Sequence, residues 1–379
     1  MTSRSITGRD PETGDSLTVQ VTNGHIDCIE KLNYSVDSYI SAGLIDLQVN
    51  GFKGLDLNDG NLKPETVVAL TELMLSTGVT TFVPTLVTAS QASLLLALKA
   101  IARARNDCSL VGHSIPYVHV EGPFVSPEDG PRGAHPSQYV RPPDIDEVAE
   151  WQRVSGNLVG KITLSPHYDD IELFIRALVS KGILVAIGHT SATSEQVHRA
   201  AAAGACFSTH LGNGAAANLA RHPNFIWAQL ADDRLTASFI ADGFHLSKDT
   251  FKAMLRSKGL HNSVLVSDLA ALGGMPAGYY DTVLGGRVRV NSEGCLTLVG
   301  TPYLAGAGSP LRDNVASAIC MADLTLAEGL QLATANPGRF VGGKGRLLVG
   351  APADLILFNW QKGSRTLNIH ETLVRGQVK

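Results

Sequence analysis

Apolar and polar positions change period twice along the chain. Near the N-terminus, residues 16–21 alternate, Thr22-Asn23-Gly24-His25 punctuates, and residues 26–29 resume the run, as expected of strands joined by a tight turn. The tail repeats the pattern: 353–358 reads as one apolar strand, and Leu373-Val374 with Arg375-Gly376-Gln377 closes a hairpin. Neither end alone could bury a core. Residues 1–42 and 343–379 are therefore expected to pair as a small β-sandwich domain made from both termini.

Between them, in 43–342, short apolar runs rich in β-branched residues alternate with helical stretches. Eight runs have the fully buried character of parallel strands: 44–50, 80–86, 117–122, 161–165, 184–189, 206–211, 237–241 and 264–268. Helices are predicted over 65–76, 92–104, 171–181, 194–203 and 249–258. In the third of these, Phe174, Leu178 and Val179 form the apolar stripe. Eight βα units predict an α/β fold, a closed (β/α)8 barrel of the TIM type. A doubly wound dinucleotide-binding sheet is the alternative, but no G-x-G-x-x-G follows the first strand.

Composition narrows the class. The chain has 379 residues, 44% hydrophobic and 17% charged, enough for a large core. Net charge is −4 without a basic stripe, so no nucleic-acid partner is expected. No long apolar segment predicts a signal peptide, transmembrane helix or membrane partner. Five scattered cysteines lack metal-ligand spacing and read as reduced thiols of a cytoplasmic protein.

The strand ends carry the chemistry. In a barrel of this type the active site sits at the C-terminal ends of the strands. The third run ends His119-Val120-Glu121, the fifth at His189, the sixth at His210, and the eighth at Asp268; the seventh runs on through Asp242 to His245. One histidine at a strand end is commonly just hydrogen-bonded. A carboxylate and several imidazoles on one mouth match the ligand set of a catalytic metal, with Zn2+ the expected ion and Fe2+ or Mn2+ as alternatives. Asp268 reads three ways: a further ligand, a proton carrier, or a carboxylate orienting His189 or His210. Helical His198 reads as structural or solvated, and His167 as a further candidate for the pocket wall.

These stretches resemble the amidohydrolase superfamily and, within it, the N-acetylglucosamine-6-phosphate deacetylase family. The likeness rests on Gly43-Leu44-Ile45-Asp46-Leu47-Gln48-Val49-Asn50-Gly51, Pro84-Thr85-Leu86, His119-Val120-Glu121-Gly122-Pro123-Phe124, Arg132-Gly133-Ala134-His135-Pro136, Gly188-His189-Thr190-Ser191-Ala192, Thr209-His210-Leu211 with Asn213, Ala241-Asp242-Gly243-Phe244-His245, and Val266-Ser267-Asp268. The resemblance implies metal binding by Glu121, His189 and His210, and an acid/base at Asp268. It implies substrate binding by Ala134, His135, Asn213, Gly214, Arg221 (on the phosphate), His245, and Gly308, Ser309, Pro310 and Leu311 on a closing loop. It also implies a homodimer acting on an amino sugar phosphate.

Departures from the family are local. Where many superfamily members place His-x-His for a second metal, this chain has Gln48 and Asn50. Neutral amides are poor ligands for a transition metal, so one divalent metal per subunit is expected. The loop Gly212-Asn213-Gly214-Ala215 lacks the family's usual bulky neighbours of the Asn, the loop from Glu121 to His135 is two residues longer, and Leu269 follows Asp268. These changes leave the N-acyl amino sugar open: the N-acetylgalactosamine epimer or an unphosphorylated sugar are alternatives. Another amide hydrolysis, or a non-catalytic barrel, are the rival classes.

Overall fold

The structure is a computed structural model that describes residues 3–282, 286–301 and 303–379; Met1 and Thr2 of the polar N-terminus lie outside the described residues. The chain begins with β1 (Ser3–Arg9), β2 (Ser16–Thr22), β3 (His25–Lys31) and β4 (Tyr39–Ala42). It then enters the first barrel strand, β5 (Leu44–Val49), followed by a two-residue-stranded hairpin of β6 (Gly51–Phe52) and β7 (Leu55–Asp56). The remaining barrel strands are β8 (Val79–Val87), β9 (Val118–Glu121), β10 (Val159–Leu164), β11 (Leu184–Ile187), β12 (Phe207–Ser208), β13 (Thr236–Phe239) and β14 (Ser263–Leu265). A three-stranded antiparallel sheet follows, β15 (Gly278–Thr282), β16 (Gly286–Val290) and β17 (Leu296–Leu298). The tail supplies β18 (Leu355–Asn359), β19 (Asn368–Val374) and β20 (Gln377–Val378).

The eight runs expected as strands are the eight strands β5 and β8–β14. They pair in parallel in the order β14-β13-β12-β11-β10-β9-β8-β5. The ring closes at the upper end, where Val49 bridges Leu269 and Asp268 N donates to Gln48 O. The terminal strands form one sheet in the order β20-β19-β18-β4-β1-β2-β3, so both ends of the chain share it. Ile6, Val19, Ile26, Ile40, Leu355 and Leu373 are the core of that sheet.

Helices pack outside the barrel: α1 (Pro64–Ser76), α2 (Gln91–Asp107), α3 (Ser109–Ser114), α4 (Ile145–Ser155), α5 (Ile171–Ser180), α6 (Ser194–Ala203), α7 (Phe225–Ala231), α8 (Lys248–Lys258) and α9 (Leu311–Ala322). Each lays an apolar stripe on the sheet; in α2 it is Leu94, Leu98 and Ile101 with three alanines. The stripe expected for α5 is corrected: Ile171, Ile175 and Leu178 are buried, Phe174 is half-buried, and Val179 is exposed. Positions 171, 175 and 178 recur every three to four residues and share a face; Val179 falls a turn's fraction off it. No described helix is long and apolar enough to cross a membrane. All five cysteines are free.

Candidate active site

The barrel mouth gathers the strand-end side chains. Glu121 closes β9, while His189, His210 and Asp268 stand just past β11, β12 and β14. Those three have positive φ, +47°, +28° and +51°. Each lies in the left-handed region that ordinary residues avoid at a cost of about 1–3 kcal/mol. The turn swings the side chain from the strand into the mouth.

His210 Nε2 lies 3.0 Å and His189 Nε2 3.4 Å from Glu121 Oε1, and the two imidazole nitrogens are 3.1 Å apart. His189 Nδ1 donates to Pro131 O at 2.9 Å, which fixes its tautomer and leaves Nε2 with a lone pair. Three ligand atoms thus converge, all three residues buried. Packing lone pairs together away from water is costly without a cation between them, so this donor set fits a divalent metal, with the pocket on its open side. Burial pushes the Glu121 carboxyl up, but the bonds and charges of His189 and His210 outweigh it and hold the group well below the usual carboxylate range.

Asp268 faces this cluster from the other side of β5. Gln48 Nε2 donates to both Glu121 oxygens at 3.2 Å and to Asp268 Oδ1 at 3.0 Å, and Asn50 Nδ2 donates to the same Oδ1 at 2.8 Å. The two amides that replace a His-x-His pair are therefore hydrogen-bond donors: Gln48 bridges the two carboxylates, and Asn50 bonds Asp268. Asp268 Oδ2 has no protein donor among the described residues. Burial first, then the Glu121 charge, raises the Asp268 carboxyl above its ordinary value.

A cavity of about 410 Å3 opens above these groups. Ala134, His135, Asn213, Gly214 and His245, the residues assigned to substrate by resemblance, line it. The His135 ring packs edge-on to His189 with centroids 4.2 Å apart, and its Nδ1 meets Thr88 Oγ1 at 2.7 Å. Burial, then the neighbouring His189, lowers His135 to about 3, so it is neutral. His245 Nδ1 bonds Asp242 Oδ2 at 2.7 Å, leaving Nε2. The variant loop Gly212 to Ala215 has a steric reason at Gly214: with φ at +58°, a Cβ there would lie 2.7 Å from His189 Nδ1.

Other expected residues fall elsewhere. Arg221 is exposed and outside the pocket lining. Gly308, Ser309, Pro310 and Leu311 also lie outside it: Gly308 packs on the Gly294 carbonyl, Pro310 caps α9, and Leu311 is fully buried. The chain reaches the pocket earlier, at residues 303–306. The bonds Ala307 N to Asp268 O and Ala270 N to Ala307 O anchor it there. His167 bonds Ser165 and is not on the wall; His198 pairs with Asp232 at the surface. His119, fully buried below Glu121, bonds Thr85 and Thr163.

Asp56, Asn58, Ile240 and Val288 line the pocket without having been singled out in the sequence. The signal for Asp56 was available: it follows the first strand end by a few residues, in a Gly-rich hairpin.

A family model for the amidohydrolase family matches residues 39–379. The N-acetylglucosamine-6-phosphate deacetylase of Danio rerio is 31% identical over 368 residues, covering 93% of this chain and 85% of its own. That of Bacillus subtilis is 28% identical over 354 residues, covering 92% and 86%. The crystal structure of N-acetylglucosamine-6-phosphate deacetylase from Thermotoga maritima superposes with a TM-score of 0.83 at 27% identity, covering 98% of each chain. A barrel whose mouth joins Glu121, His189 and His210 beside Asp268 thus agrees with sequence likeness over nearly the whole length, and the chain belongs to the amidohydrolase family, in its N-acetylglucosamine-6-phosphate deacetylase branch.

Proposed function

We propose that this chain hydrolyses the N-acetyl group of an amino sugar 6-phosphate, N-acetylglucosamine-6-phosphate foremost, releasing acetate and the free amine. The observation that carries the reading is the buried Glu121, His189 and His210 triad facing the half-bonded carboxylate of Asp268 across one pocket. The triad would hold one divalent metal, Zn2+ on the donor set. When bound, that metal polarises the amide carbonyl and acidifies water.

The chain's own groups do the rest. Gln48 and Asn50 pin Asp268 Oδ1, so Oδ2 is the atom that takes the proton of attacking water and returns it to the leaving nitrogen. In the tautomer in which Thr88 donates to Nδ1, His135 presents Nε2–H to the carbonyl oxygen as negative charge develops there. Asn213 and His245 Nε2 face the sugar. Arg221 is assigned to the phosphate; being exposed, it reaches a bound sugar through movement of its loop or from the other subunit of a homodimer. The same reading takes residues 1–42 with 343–379 as a small domain beside the 43–342 barrel, in a cytoplasmic enzyme.

The test is acetate release by metal-quantified protein. The substrates are N-acetylglucosamine-6-phosphate, N-acetylgalactosamine-6-phosphate and both unphosphorylated sugars. Turnover of a phosphorylated sugar, at least tenfold above its unphosphorylated form, is expected. Metal-loaded protein inactive on all four would overturn the substrate.

A further inference from the structure

Asp56 is a half-buried carboxylate on the pocket wall with no role in the chemistry above. It stands on β7, directly opposite Gly51 of β6 in the hairpin. Gly51 is the next residue after Asn50, which bonds Asp268. The hairpin brings Asp56 back to the side of the mouth where the proton carrier sits.

Its mount is rigid. Gly51 N, Lys53 N and Gly54 N donate to the carbonyls of Leu269, Gly273 and Ala271, tying the hairpin to the segment after Asp268. Asp56 Oδ1 accepts from Asn58 N at 2.8 Å. Asn58 in turn bonds Thr85 O and Val87 N on β8. The other carboxylate oxygen has no hydrogen-bond partner among the described residues. Among the described residues no lysine or arginine lines this pocket. Burial raises the carboxyl above its ordinary value. A half-buried, partly desolvated carboxylate with an unpaired oxygen on the pocket wall is an acceptor open to a bound donor.

We propose that Asp56 is a specificity-determining residue that accepts a hydrogen bond from a ring hydroxyl of the bound sugar. The inference rests on the amino sugar reading above. A hydroxyl suits the site because Asn50, Asn58 and Asn213 bring neutral amides to the same pocket, of the kind that surrounds polyhydroxylated ligands with both donors and acceptors. A site built to bond a substrate hydroxyl discriminates strongly against an analogue that lacks it, because the buried acceptor is left unpaired.

The experiment compares wild type with Asp56→Asn, both metal-loaded, on N-acetylglucosamine-6-phosphate and its 1-, 3- and 4-deoxy analogues. Asparagine keeps an oxygen for the Asn58 amide but turns the other position into a donor, so a merely structural role survives it. Wild type is expected to lose roughly 10- to 100-fold in kcat/KM on one deoxy analogue. Asp56→Asn is expected to lose a similar factor on the parent sugar, mainly through KM, and to treat that analogue and the parent alike. The proposal is overturned by a wild type indifferent to all three deletions, a result that needs no variant to fold. It is equally overturned by an Asp56→Asn protein that keeps full discrimination. A wild type inactive on the parent sugar and its galacto epimer removes the amino sugar reading itself, and this assignment with it.

Discussion

Asp268 is held by one oxygen and free at the other, which makes its role separable from metal binding. Replacing it by asparagine keeps the Oδ1 position for Gln48 and Asn50 and leaves Glu121, His189 and His210 untouched. Asp268→Asn is expected to lower kcat/KM by about 10²- to 10⁴-fold with metal content unchanged by elemental analysis; loss of the metal along with activity would make Asp268 a ligand instead. A second residue below the site invites a stability test. Lys161 is 1% exposed, its Nζ makes no hydrogen bond, and it lies 4.2 Å from the Phe207 ring centroid. Burial lowers it to about 8, against partial compensation by Glu121, Cys206, Asp268 and Asp46. With its folded value depressed below the ordinary 10.5, the unfolded chain binds the extra proton between pH 8 and 10.5, so stability from this group rises with pH across that window and is lost as pH falls through 8. Lys161→Met, of similar volume, is expected to be more stable than wild type at pH 7 by up to the order of 3 kcal/mol, measured by denaturant unfolding. The difference should narrow as pH rises from 8 to 10.5. A variant less stable at pH 7 would show that the ammonium has a partner worth more than its burial cost.

Elements explain why some of the site was legible and some was not. The four chemical residues stood out because each ends a run of buried apolar positions, where a polar side chain needs a reason. Gln48 stands out only as a neutral amide where a His-x-His position falls, and Asp56 only by its place in the Gly-rich stretch after the first strand. Gln48 acts by bonding Asp268, 220 residues away in sequence, and Asp56 reaches the pocket only because the β6–β7 hairpin folds back on it. The β15–β17 sheet went unread because its strands alternate over only a few residues: in β16 only Val288 and Val290 are buried, between exposed arginines. Gly308 to Leu311 lie a few residues beyond the stretch 303–306 that lines the pocket, and nothing local in the sequence says where the loop after β17 touches it. The loop at Gly214 yields a prediction of its own. A Cβ there would press on His189 at 2.7 Å, and the +58° φ disfavours any side chain. Gly214→Ala is expected to weaken metal binding by about 10- to 100-fold, the usual cost of disturbing groups that orient a ligand, read by chelator competition. Unaltered affinity would mean that the loop yields without moving the ring.

At the scale of the molecule, the eight-stranded order and its closure were legible because parallel strands buried on both faces read as continuous apolar runs. That same closure carries an expectation for the metal count. β5 meets β14 through Asp268 N to Gln48 O, and the Gln48 side chain then occupies the space between Glu121 and Asp268, its two N–H donors shared among three carboxylate oxygens at 3.0–3.2 Å. A donor nitrogen aimed at both carboxylates competes with a second cation for the same oxygens, so elemental analysis should give one metal per chain, and two would refute this reading of Gln48. The three candidate ligands come from β9 and the turns after β11 and β12, strands of one sheet in which β10 separates β9 from β11. Metal binding therefore links separate strands of the folded barrel, and the unfolded chain offers no such site. Binding to the folded state alone stabilises by about 3–4 kcal/mol when free metal is 100 to 1,000 times its Kd. Exhaustive chelation should thus abolish activity and lower the melting temperature by several degrees. Far-UV circular dichroism should stay unchanged at 25 °C, because the Leu, Ile and Val core of the barrel holds without the ion. Returning Zn2+ should restore both melting temperature and turnover. A fully chelated protein that melts where the loaded one does would show that Glu121, His189 and His210 do not hold the metal.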